Sequence, residues 1–112
     1  MRDFYLAHFD CSANAKYVNP ASGFSSYFLS FAAGGTRLEL MCKPNLATAD
    51  TAPHTGYTHF AISLGSEERV RELTEALRKK GVSVKSEPRR TGDGYYESVV
   101  TDPDGNLIEL TV

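Results

Sequence analysis

Cysteine is nearly absent: Cys11 and Cys42 are the only two in a chain of 112 residues. Two thiols make no disulfide framework, and these two lack the close Cys-x-x-Cys spacing of a thiolate metal site. A reducing, cytoplasmic setting is therefore expected. Long apolar runs are absent as well. None approaches the roughly 20 residues needed to span a bilayer, and the first residues do not read as a secretory leader. Charge of one sign is scarce: 12 basic residues stand against 14 acidic ones, a net charge of −2. That balance gives no electrostatic reason to expect nucleic acid or an anionic membrane as partner. A phosphate loop is missing too, because Gly92-Asp93-Gly94 follows Pro88 and leads toward a strand, not a helix. What remains is an ordinary composition, 41% hydrophobic and 23% charged. It suits one small domain that buries roughly two-thirds of its unfolded surface.

The most informative stretch lies at the end of the chain. Residues 106–112, Asn-Leu-Ile-Glu-Leu-Thr-Val, follow the turn Asp102-Pro103-Asp104-Gly105 and read as a strand by their apolar and β-branched content. Glu109 sits in its middle, on the face opposite Ile108 and Leu110. A carboxylate in such a strand is solvated, paired or bound to a metal. The same device occurs earlier, in Arg37-Leu38-Glu39-Leu40-Met41 after Gly34-Gly35. A shift of 70 residues lays Gly35 on Gly105, Leu38 on Ile108, Glu39 on Glu109 and Leu40 on Leu110.

Read in order, residues 1–10 have a partial helical spacing without a normal cap, carrying His8. Residues 15–19 form a short strand. Residues 24–32 form a longer one, with Ser25, Tyr27, Leu29 and Phe31 on one face. Gly34-Gly35 turns the chain into a partner strand over 36–42. Residues 43–56, which include His54, form a linker between two halves. A strand over 57–64 puts His59, Ala61 and Ser63 on one face and Phe60, Ile62 and Leu64 on the other. Ser66 caps a helix to Lys80 with acidic residues in its first turn, basic ones in its last and Gly81 as the stop. Val70, Leu73 and Leu77 are its expected buried stripe. A strand over 82–87 ends at Pro88, residues 89–94 form a polar loop, and a hairpin over 95–112 closes the chain. The halves match if the first has lost its opening strand; the counterpart of His59 would fall before Met1.

Taken together, Lys16 to Pro20, Gly23 to Phe31, Arg37 to Met41, Gly56 to Ala61, Thr91 to Glu97 and Asp102 to Leu110 resemble the vicinal oxygen chelate superfamily, nearest its glyoxalase I-like group. The resemblance covers essentially the whole chain. It implies an α+β fold of paired βαβββ modules with the first strand missing. The expected organisation is one domain over residues 1–112: an incomplete first module over 1–42, the linker 43–56 and a complete second module over 57–112. It further implies a divalent metal (Zn, Ni, Fe, Co or Mn) held by Glu39, His59 and Glu109, with Glu109 also the proton shuttle. The ligand from the first module's first strand has no counterpart, and the site is expected across a homodimer, with strand exchange as one form of it.

Three functions follow as expectations. The first is a metal-dependent lyase or isomerase acting on a small oxygenated substrate, such as the hemithioacetal of a thiol and a 2-oxoaldehyde. The second is a non-catalytic binding module resembling the bleomycin-resistance proteins. The third is a truncated homologue completed by dimerisation. Apart from the resemblance, Glu39, His59 and Glu109 read equally as solvated residues on a half-exposed sheet. Arg89 and Arg90 are candidates to meet an anionic group, or are simply solvated. For Tyr95 and Glu97, strand parity leaves open which face they share.

Overall fold

The computed structural model describes residues 1–32, 34–47, 52 and 55–112. The chain divides into two compact units, Met1–Thr48 and Ala49–Val112.

In the first unit, helix α1 (Arg2–His8) is followed by strands β1 (Cys11–Ala13), β2 (Tyr17–Asn19), β3 (Phe24–Phe31) and β4 (Arg37–Cys42). The helix has no side-chain cap at its start, and Phe9 ends it in an extended conformation. Strand β3 organises the sheet. It pairs antiparallel with β1 and β2 along one edge and with β4 along the other. Alternation puts Tyr27, Leu29 and Phe31 on the helix side, where Arg2 lies over the Tyr27 ring. Tyr5, Phe9 and Leu29 are the buried apolar residues here. Strand β1 was not expected from the sequence. Its three residues are too few to show a period, and pairing with β3 through Cys11–Phe31 and Ala13–Leu29 defines it.

The second unit contains β5 (His59–Ser63), α2 (Glu67–Lys79), β6 (Val84–Arg90), β7 (Tyr96–Thr101) and β8 (Leu107–Thr111). Its sheet has the order β5-β8-β7-β6, with β5 parallel to β8 and the other pairs antiparallel. The start of α2 is set by Ser66, whose hydroxyl accepts from the Arg69 backbone N–H at 3.2 Å. Its end is set by Gly81, at φ +83°, a conformation open to glycine at little cost. The helix covers the face formed by Phe60, Ile62, Ser98, Val100, Ile108 and Leu110, of which the last four are buried.

Three expectations need correction. Leu73 is only partly buried, and Thr74 takes the inner position beside Val70 and Leu77. Thr74 is tolerated there because its hydroxyl donates to the Val70 carbonyl at 2.6 Å and meets Ser98 Oγ at 2.7 Å. Strand β6 does not stop at Pro88 but runs through it to Arg90. It lies at the sheet's end, where register shifts on either side of Ser86 accommodate a residue with no N–H to donate. Consequently Arg89 and Arg90 belong to a strand rather than to the loop.

The two α+β units differ at one edge. Strand β8 lies between β5 and β7, whereas β4 pairs with β3 alone among the described residues. No helix among the described residues is long and apolar enough to cross a membrane.

Candidate metal and substrate site

The open face of the second sheet carries a row of polar side chains. Strand pairing sets it: Ala61 lies beside Glu109, Glu109 beside Val99, and Glu97 beside Thr111 and Arg89. Residues paired across strands share a face, so His59, Glu109, Glu97 and Arg89 all project away from α2. The turn before β8 holds this register. Asp102 Oδ1 accepts from the backbone N–H groups of Asp104 at 3.0 Å and Asn106 at 2.9 Å, and Oδ2 accepts from Asn106 Nδ2 at 2.8 Å.

His59 Nε2 stands 3.1 Å from Glu109 Oε2. The carboxylate is largely withdrawn, 17% exposed, while the imidazole is 41% exposed. Thr58 Oγ1 lies 2.9 Å from His59 Nδ1. A neutral ring with its proton on Nε2 satisfies both contacts, donating to Glu109 and accepting from Thr58. If Nε2 instead served as a metal donor, Nδ1–H would donate to the same hydroxyl. Thr58 therefore orients the ring in either tautomer.

Glu97 completes the row. Its side chain is 15% exposed, with Arg89 Nη1 3.5 Å away. Burial raises the Glu97 carboxyl above its ordinary range. The charge of the neighbouring Glu109 adds to this, while Arg89 opposes it.

Glu39 lies in the first unit, exposed on β4 and paired with Phe28. Its face is aromatic: Arg37 lies 4.6 Å over the Phe28 ring, and the Tyr17 and Phe24 rings meet at a tilt with centroids 6.1 Å apart. The structure thus brings together two of the three expected ligands, His59 and Glu109, and places Glu39 on the other unit. No group of three His, Cys, Asp or Glu side chains able to hold a metal occurs among the described residues. The donor chemistry of the His59–Glu109 pair, one imidazole nitrogen and one carboxylate on an accessible face, still suits a borderline divalent cation.

Other candidates have structural places. His8 packs against Phe4 within α1, with centroids 5.1 Å apart. Arg90 is committed to Glu67 and to the Gly94 carbonyl, and Arg89 to Glu97. Cys11 and Cys42 are free thiols. His54 and part of the expected linker lie outside the described residues. Glu97 was the residue that sequence reasoning did not place. A signal was present, because the turn at 102–105 pairs Val99 with Glu109 and so puts Glu97 on the Glu109 face.

Two sheets of this kind, with few helices, an imidazole–carboxylate pair on an open face and an internal repeat, define the class. The family model of the glyoxalase/bleomycin resistance protein/dioxygenase superfamily matches residues 1–110, and the chain belongs to that family. Among curated relatives it is 32% identical over 108 residues to a putative lactoylglutathione lyase of Brassica oleracea var. gemmifera, covering 96% of this chain and 37% of the relative. It is also 32% identical over 109 residues to a lactoylglutathione lyase of Arabidopsis thaliana, covering 96% and 38%. The chain thus spans less than two-fifths of the length of these relatives. Among solved structures, glyoxalase I from Zea mays superposes with TM-score 0.80 at 26% identity, covering 98% of this chain and 38% of that one. The trypanothione-dependent glyoxalase I of Leishmania major superposes with TM-score 0.76 at 27% identity, covering 97% and 73%.

Proposed function

We propose that the chain forms a glyoxalase I-like lyase or isomerase centre for a small oxygenated substrate, the hemithioacetal of a thiol and a 2-oxoaldehyde. The observation that carries this reading is the His59–Glu109 contact on the open face of a family sheet. His59 and Glu109 would hold a divalent cation, and Glu39 would join them in the assembled protein, a homodimer. When bound, the cation supplies Lewis-acid polarisation of adjacent substrate oxygens. Glu109 then acts as the base, taking a proton from one carbon and returning it to its neighbour. His59 keeps its orientation through Thr58.

The aromatic face around Glu39 favours a second reading, a metal-independent binding module. Tyr17, Phe24 and Phe28 offer flat apolar contact to a ring-bearing ligand. The experiment that separates the two uses protein purified without chelator and reloaded with Zn or Ni. It follows conversion of the hemithioacetal formed from methylglyoxal and glutathione. The lyase reading expects turnover that disappears in Glu109→Ala and in His59→Ala. Absence of turnover with this and with other thiols, alongside ligand binding that persists in both variants, would establish the second reading.

A further inference from the structure

Next to Glu109 on the open face runs a row that is polar from end to end. Strand pairing lines up Ser63, Thr111, Glu97 and Arg89, one from each strand of the sheet. The fold does not require charge there. The 70-residue shift lays Thr111 on Met41, and the matching row of the first unit reads Met41, Ser26 and Tyr17. Stability does not account for it either. Arg89 is half-exposed, and its Nη1 stands 3.5 Å from Glu97 Oε1, longer than a close charge-assisted hydrogen bond, so the pair adds little. Arg90 differs: Glu67, the Gly94 carbonyl and the Tyr96 ring all hold it. Arg89 meets Glu97 at one nitrogen, which leaves guanidinium donors for a second anion.

We propose that Arg89 and Glu97 form a binding site for a zwitterionic aminocarboxylate group of the substrate, Arg89 taking its carboxylate and Glu97 its ammonium. Opposite charges side by side match a ligand that carries both, and disfavour one that leaves either of them unmatched. Glu97 is 15% exposed and so poorly screened by water, and an ammonium beside it gains more than at an open carboxylate. The spacing suits a molecule that reacts at Glu109. Glu97 lies one strand across and two residues along from Glu109, a diagonal of roughly 7–8 Å, and Arg89 lies one strand further. The inference rests on the lyase reading for the identity of this ligand as the substrate. Either half of the hemithioacetal, the thiol or the 2-oxoaldehyde, can carry the group.

The test is an NMR titration of the full chain, freed of metal, with three small thioethers. S-methylcysteine carries both charges, 3-(methylthio)propanoate only the carboxylate and 2-(methylthio)ethylamine only the ammonium. The wild type is expected to bind S-methylcysteine about 10-fold more tightly than either single-charge probe. Arg89→Met lowers the affinity for S-methylcysteine to that for the amine, and Glu97→Gln lowers it to that for the propanoate. Arg89 is half-exposed, so its replacement leaves the fold intact and decides the matter should Glu97→Gln not fold. No binding, equal affinity for the three probes, or a preference that survives in Arg89→Met overturns the proposal. Metal is absent from this titration, so its failure is separate from that of the lyase reading, which shows as no turnover by the Zn- or Ni-loaded protein. Turnover of methylglyoxal with glutathione and with N-acetylglutathione tells the two sources apart. A loss of about 10-fold in kcat/KM on acetylation, absent in Glu97→Gln, puts the group on the thiol, and equal values put it on the carbonyl half.

Discussion

Glu109 projects from β8 between two side chains that cannot hydrogen-bond it, with His59 on one flank and the like-charged Glu97 on the other. Removing it relieves the crowding at Glu97 while ending the contact to His59, so the losses fall on chemistry more than on folding. Glu109→Ala is expected to abolish turnover and metal uptake while Tm changes by less than about 4 °C. Thermal melts beside a metal titration check this, and a collapse of Tm would mark a structural carboxylate. The two thiols provide an independent test. Burial raises the Cys11 thiol, with Asp10 adding to the effect, whereas Cys42 is exposed at the end of β4. The thiolate is the reactive form, so iodoacetamide at neutral pH should modify Cys42 first. Mass spectrometry of partly reacted protein reads the order, and faster labelling of Cys11 would contradict the burial described. At this scale Glu109 and His59, which the fold brings into contact, stand out in the sequence because each interrupts or borders an apolar alternation. It left Glu97 unplaced because a Tyr-Tyr-Glu strand start has no clear alternation of its own.

The elements that were legible are those whose signals are local. Ser66, the acidic first turn, the basic last turn and Gly81 mark α2 without help from the rest of the fold. Strand β6 was misread because Pro88 is a stop signal only where its missing N–H matters, and at the sheet's end it does not. Thr74 was missed because its hydroxyl is satisfied from another strand, by Ser98, which no helical period records. That pair carries a prediction. Thr74→Val leaves the buried Ser98 hydroxyl without its partner and costs about 1–3 kcal/mol. The double change with Ser98→Ala recovers part of it, as read in urea unfolding midpoints. A single change without effect would mean that the contact adds no net stability. The closing turn carries another. Asp102→Ala removes three hydrogen bonds at once from a buried carboxylate. It should also cost about 1–3 kcal/mol and weaken metal uptake, because the register that carries Glu109 depends on the turn. Loss of stability with metal affinity unchanged would separate the turn from the site.

At the scale of the molecule, the 70-residue repeat made the paired α+β architecture readable, since Glu39 and Glu109 occupy the same place in strands of the same composition. Less was readable about assembly. In the second unit β5 flanks β8 and brings His59 to Glu109; the corresponding edge of β4 has no strand beside it among the described residues, and Glu39 has no imidazole from such a neighbour. Such an edge invites association. The homodimer proposed for this chain should appear in light scattering as twice the monomer mass, and a strict monomer at micromolar concentration would remove it. The central claim is that His59, Glu109 and Glu39 together hold a divalent cation. The most direct test is metal analysis of the wild type and of His59→Ala, Glu109→Ala and Glu39→Ala after incubation with Zn or Ni and dialysis. The account predicts a bound metal in the wild type and its loss in all three variants, and a wild type that stays metal-free would contradict it.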